Sequence, residues 1–181
     1  MAPETDRSRA VADDDAEERA RLFVEAFAEG WRAPTGADAL ADHFEPWLRP
    51  DYRFVQPLIR GARVGPVAFR EEFLRPIFAV CSEIRGSVEE WARRGDMVFI
   101  ALRIEVTVGR SRFALRVCDQ VQLVDDRAAE RTTYADMTPL LAAVLRTPSL
   151  WWPVLRRKIK DMRADPRSQR GRDSGVRRNR R

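Results

Sequence analysis

There is one histidine in this chain, His43, with two cysteines, Cys81 and Cys118, and two lysines, Lys158 and Lys160. Each scarcity closes off a kind of chemistry. A lone histidine excludes most zinc sites built on several His and Cys, and it weakens any Ser-His or Cys-His relay. The cysteines have neither metal nor redox spacing and sit in apolar segments, so buried free thiols are expected. Both lysines lie beyond the expected core, which leaves a Schiff-base mechanism without a candidate there. No G-x-S-x-G, P-loop or G-x-G-x-x-G occurs. No apolar run approaches the roughly 18 to 20 residues needed to span a bilayer. Residues 1–18 are acidic and carry no apolar stretch of the secretory kind, so a cytoplasmic location is expected. No cofactor and no metal is implied. If the protein is an enzyme, its acid and base must be carboxylates, with Tyr or Arg in support.

The net charge of +5 conceals an uneven distribution. From Arg156 onward there are twelve basic residues against three acidic ones, while the rest holds 21 against 25, a balance of −4. The basic character belongs to a tail. The length fits one domain. The expected layout is a disordered N-terminus over 1–15, a folded domain over 16–160 and a disordered basic tail over 161–181. Such a tail is foremost a solvated appendage. A weaker reading gives it a nucleic acid or an anionic membrane as partner, with Leu150, Trp151 and Trp152 as an interfacial anchor.

Apolar residues at Leu22, Phe23, Ala26, Phe27 and Trp31 have helical spacing and predict a helix over 16–32. A second helix is predicted over 37–48, kinked or ended by Pro46. A short strand over 52–56 follows. Pro66 then opens a third helix whose apolar face is Phe69, Phe73, Ile77 and Phe78, with Pro76 as an internal break. Four strand-like runs come next, over 82–93, 97–108, 112–124 and 129–136, separated by Gly or Asp turns. A helix opens at Thr138-Pro139 and restarts after Pro148. Helices early and an antiparallel meander late describe an α+β domain.

The stretch 97–136 organises the rest. Side chains alternate faces along a strand, so Arg103 and Glu105 share one face, while Val98, Ile100, Leu102, Ile104, Val106 and Val108 form the other. Tyr134 and Asp136 share a face two strands later. An arginine and two carboxylates could thus meet over one side of the sheet. The plain alternative is a surface ion pair, since antiparallel sheets commonly solvate one face. Asp119, opposite in face to Arg116, reads as an exposed or edge-paired acid. His43 reads as a capped or solvent-edge residue.

In the order of its motifs the chain resembles the nuclear transport factor 2-like superfamily, in its SnoaL-like and limonene-epoxide-hydrolase-like branch. The residues that carry the likeness are Phe27-Ala28-Glu29-Gly30-Trp31, Tyr52-Arg53-Phe54-Val55-Gln56-Pro57, the entry Gly61…Gly65…Phe69, and Arg131-Thr132-Thr133-Tyr134-Ala135-Asp136 with Pro139-Leu140-Leu141 after it. The resemblance implies a cone-shaped α+β barrel. In it a strongly curved antiparallel sheet has N-terminal helices packed on its concave side around an apolar pocket for a small hydrophobic molecule.

By that likeness Asp136 would take a proton from water, Glu105 would protonate an opening epoxide oxygen, and Arg103 would hold both. Trp31, Phe54, Gln56, Phe99 and Tyr134 would line the substrate pocket. Three departures stand out. Glu105 replaces an Asp, and Phe54 and Gln56 stand where the family has Tyr and Asn. Gln56 before Pro57 also removes the base that the isomerase branch needs. A SnoaL-like cyclase requires one acid, for which Asp136 or Asp119 could serve. A non-catalytic ligand-binding or dimerisation module is the other class. If Arg103 and Glu105 point inward, the face from Val98 to Val108 lies outside and needs a cover, which implies a homodimer through the sheet. If Arg103 lies in solvent, the Asp-Arg-Glu set is only a by-product of alternation.

Overall fold

The computed structural model describes residues 4–57 and 59–146, with side-chain surroundings for 13–57 and 59–142. Residues Met1–Leu140 form one compact unit and a second begins at Leu141. Beyond the end of one helix the second unit lies outside the described residues. So do the 161–181 tail and the Leu150-Trp151-Trp152 segment of the sequence reading.

Helix α1 spans Glu4–Arg32 and so begins well before residue 16, within the stretch expected to be disordered. Arg93 binds Asp13 of that stretch and Glu17 just after it. Ala20, Phe23, Val24, Phe27 and Trp31 form its buried stripe, at the spacing of one helix face. Helix α2 (Ala37–Phe44) passes into a 3-10 turn, Glu45–Trp47, at Pro46. Strand β1 (Leu48–Val55) therefore starts four residues before the predicted strand. Strand β2, Arg63–Val64, lies between Gly61 and Gly65 and pairs antiparallel with β1. Helix α3 (Pro66–Ala68), a π-helical turn (Phe69–Leu74) and α4 (Arg75–Phe78) make one broken helical run around Pro76. Strands β3 (Glu83–Arg94), β4 (Met97–Val108), β5 (Ser111–Val124) and β6 (Arg127–Ala135) follow, then α5 (Thr138–Arg146).

The six strands lie in the order β2-β1-β6-β5-β4-β3, so the sheet is curved but does not close. It is not wholly antiparallel, because β1 runs parallel to β6. That pairing crosses the intervening helices and strands, and no local turn signal announces it. Bulges at Glu89 in β3 and at Ala129 in β6, opposite Gln122/Leu123, break the register, and bulges bend and twist strands locally.

Val98, Ile100, Leu102, Val106 and Val108 are buried, with Ile104 partly so. Val98, Ile100 and Leu102 belong to the hydrophobic core together with residues of α1 and α2, and Ile104 packs against it. The choice is all or none along a strand, and burying each large aliphatic stabilises by about 1.5–3 kcal/mol. Sinking Arg103 and Glu105 instead would forfeit that and add desolvation of two charges. The apolar face is thus already covered, and the reason for a homodimer through the sheet falls away with it.

Candidate functional site

Arg103 stands on the outer face with 47% of its side chain exposed, its Nε 3.6 Å from Glu105 Oε1. Glu105 receives a 2.7 Å hydrogen bond from Arg112, and that bond, with Arg103 as a lesser neighbour, holds its carboxyl below the ordinary value. Asp136 is also exposed. The backbone N–H of Thr138 donates to it at 3.0 Å and pulls its carboxyl down. In register Arg103 faces Arg116, and the Asp136 N–H donates to the Arg116 carbonyl, so the three lie along the solvent side. Arg103, Glu105 and Asp136 do not point into the interior, as the likeness implied they would. Arg103→Ala and Asp136→Asn should each leave the urea midpoint unchanged within error; a cooperative loss of stability in either would show an interior role.

Of the five expected lining residues, Trp31, Phe54 and Gln56 are buried in the interior, whereas Phe99 and Tyr134 are exposed on the outer face. The Tyr134 hydroxyl reaches only Gln120, at 3.5 Å. His43 sets its Nε2 2.8 Å from the Ala26 carbonyl and joins α2 to α1, as a capped residue would. Cys81 and Cys118 are free and half-buried, not fully buried; burial pushes the Cys81 thiol up to about 11.

The interior holds a different set of polar groups. Asp119 is 0% exposed and Arg131 5%, and their Oδ2 and Nη2 atoms are 2.8 Å apart. The contact is an ion pair by distance but is off the hydrogen-bond direction, so Oδ2 still has no donor. Thr133 donates its hydroxyl to Asp119 Oδ1 at 2.5 Å. Asp119 is therefore neither exposed nor edge-paired, as the sequence reading had it. Burial pulls the Arg131 guanidinium down, but Asp119 and then Tyr52 outweigh it and hold the group above its ordinary value. Its guanidinium carbon lies 5.4 Å from the Phe27 ring and 5.9 Å from the Phe73 ring, a cation held between two aromatic faces.

Register explains why these groups meet. Thr133 pairs with Asp119 across β5 and β6, and Val55 pairs with Thr132 across β1 and β6. Gln56, one residue past Val55, comes level with Thr133. A polar row of Gln56, Thr133 and Asp119 therefore crosses an interior that is otherwise aliphatic and aromatic. Beside it Tyr52 stacks on Phe54 with centroids 5.7 Å apart. Among the described residues four buried side-chain atoms lack a hydrogen-bond partner: Trp31 Nε1, Gln56 Nε2, Asp119 Oδ2 and Arg131 Nε. An unmade bond on a buried polar group costs about 1–3 kcal/mol. Among the described residues no cluster of three or more His, Cys, Asp or Glu is placed to hold a metal.

Burial raises the Tyr52 phenol to about 12, against the opposing pull of Arg131. A raised acid pKa stabilises the fold fully below the unfolded tyrosine value and loses that stabilisation as pH rises through the folded one. Stability should therefore drop by about 2–3 kcal/mol between about pH 10 and 12. Tyr52→Phe should remove that alkaline step in urea titrations followed by fluorescence. An identical alkaline slope in the variant would assign it elsewhere.

Asp119 was legible in principle. It sits on the same strand face as Val117, Val121 and Leu123, an acid alone among aliphatics. Arg131 and Thr133 likewise alternate with Thr132 and Tyr134 and fall on the face opposite to Asp136.

A family model of the SnoaL-like domain matches residues 20–131. The chain belongs to the SnoaL-like domain family. No curated protein sequence matches it. Solved structures share its fold. An epoxide hydrolase like limonene epoxide hydrolase, from M. tuberculosis, has a TM-score of 0.56 at 18% identity, over 71% of this chain and 91% of that one. One named a SnoaL-like polyketide cyclase, from Jannaschia sp. CCS1, has a TM-score of 0.58 at 18% identity, over 70% and 92%. A nuclear transport factor 2-like protein from Anabaena variabilis has a TM-score of 0.57 at 19% identity, over 70% and 92%. At these identities the likeness establishes the cone-like α+β fold of this SnoaL-like domain and assigns no residue a role. Among the described residues no helix is long and apolar enough to cross a membrane.

Proposed function

We propose that this SnoaL-like domain binds a small, largely apolar molecule inside its cone, with a polar end set against Asp119, Arg131 and Gln56. The observation that carries this is the polar row crossing an apolar interior with hydrogen bonds left unmade. Gln56 Nε2 and Arg131 Nε donate no hydrogen bond, and Asp119 Oδ2, ion-paired with Arg131, accepts none. A ligand that both accepts and donates, such as a hydroxyl beside a carbonyl, satisfies all three. Aromatic rings from Phe27, Phe54, Phe69 and Phe73 suit the apolar remainder.

A second reading makes the same site catalytic. Asp119, oriented by Thr133 and charge-paired with Arg131, would act as the base for cyclisation or epoxide opening. This differs from the outer set of Arg103, Glu105 and Asp136. There, solvent on all three groups removes the desolvation needed to keep one carboxyl protonated.

Thermal shift against a panel of apolar epoxides, hydroxyketones and quinones tests the reading. At least one hydroxy-carbonyl compound should raise Tm by several degrees, and Gln56→Leu should abolish the preference for it while the fold stays intact. No shift across the panel sinks the proposal. Turnover that disappears in Asp119→Asn with binding retained would select the catalytic form.

A further inference from the structure

The polar row is sealed, since Asp119, Arg131, Thr133, Gln56 and Tyr52 are all buried. Whatever reaches it must pass a wall that moves. The sheet cannot open there without breaking the β4-β5 and β5-β6 ladders. Helix α1 buries five side chains along one stripe and is tied to the sheet by Arg93 and by Arg19 with Asp126. The broken helical run over residues 66–78 buries three side chains, Phe69, Phe73 and Leu74, but its backbone is less regular. It is short, its middle is π-helical, and Pro76 has no N–H to continue a helical ladder. Gly65, with φ of +89°, precedes it, a backbone angle that side-chain-bearing residues rarely adopt.

This run also carries the ring that covers the site, Phe73 over Arg131. It meets α2 through a buried edge-to-face contact of Phe69 with Phe44, 6.1 Å between centroids, and through exposed ion pairs around that contact. Arg70 binds Asp42 at 2.5 Å and lies 3.8 Å from Asp38 and 3.9 Å from Glu45, and Arg75 binds Asp38 at 3.1 Å. Asp38, Asp42 and Glu45 form one face of α2 and its 3-10 extension, at helical spacing. A further pair, Arg63 with Glu72, ties the run to β2.

We infer that residues 66–78 open as a unit to admit the ligand, while α1, α2 and the sheet stay closed, and that Arg70 and Arg75 are the latch. Opening withdraws Phe73 from Arg131 and exposes the polar row. Exposed ion pairs are screened by salt, so the latch weakens as ionic strength rises. This inference rests on the binding reading above, and its test is independent of any ligand.

Hydrogen exchange of the full chain, read by mass spectrometry, decides it. Peptides from 66–78 should exchange faster than those from the buried parts of α1 and from β5. The surface variant Arg70→Gln/Arg75→Gln should speed exchange in 66–78 alone, by about 3–10-fold for the loss of several exposed pairs. High salt should do the same in the parent protein and add little in the variant. If 66–78 is protected as well as α1, or the variant changes nothing there, the latch is wrong, whether or not a ligand binds. If the segment opens as described and no compound of the panel binds, the opening stands and only the binding reading falls.

Discussion

Asp119→Ala should destabilise the domain by about 3–5 kcal/mol in urea unfolding, the loss expected when one partner of a buried ion pair is removed. Arg131 is 5% exposed and Asp119 is its only carboxylate partner among the described residues. Without that carboxylate the guanidinium keeps its two aromatic neighbours and Tyr52 but no counter-charge. Thr133 loses its acceptor as well. The double variant Asp119→Leu/Arg131→Met should recover most of the loss, because replacing a whole buried pair by apolar groups is often neutral or stabilising. Should the single variant unfold no more readily than the parent, the interior is wetter than the structure implies. Should the double variant be no better than the single one, the row stabilises through shape and not through charge. Recovery of stability together with loss of ligand-induced Tm shift would mark the pair as retained for binding.

Gly86→Ala should cost about 2–3 kcal/mol, at the upper end for overpacking. A Cβ there would lie 2.7 Å from Trp31 Cβ and 3.3 Å from the Trp31 carbonyl oxygen. Neither atom can swing aside by changing a rotamer, so the end of α1 must lift off β3. Gly30 makes a useful contrast. Its added Cβ would meet the His43 ring at 2.7 Å and Phe44 Cζ at 3.0 Å, which are side-chain atoms. Alanine there also gains about 1 kcal/mol in helix propensity. Gly30→Ala should therefore be milder than Gly86→Ala by thermal melting, and the reverse order would refute the account of how α1 seats on the sheet. Because Trp31 lines the interior, Gly86→Ala should also weaken binding of any cone ligand.

Much of the fold could be read without coordinates. The apolar stripe of Phe23, Phe27 and Trp31, the Pro66 helix entry and the turns at Gly95 and Gly109 are local signals and give local structure. Strand alternation likewise grouped Arg103 with Glu105 and Tyr134 with Asp136 correctly. Alternation leaves open which face is inner; the resemblance implies the Arg103 face, and the structure has that face outside. The aliphatic face of β4 already favoured its own burial, at about 1.5–3 kcal/mol for each large side chain. The same count would have exposed Asp119 as the exception on the inner face of β5.

Sequence alone determines which side chains share a face, because alternation and helical period are properties of the backbone between neighbours. It also determines that helices come first and the meander last. Only the tertiary structure decides that β1 lies parallel to β6, and hence that Gln56, Thr133 and Asp119 come level. It alone decides that Phe73 and Phe27 close on Arg131 from a broken helical run and from α1. These are contacts between segments far apart in the chain. Their register is set by hydrogen bonds and packing that no single segment encodes.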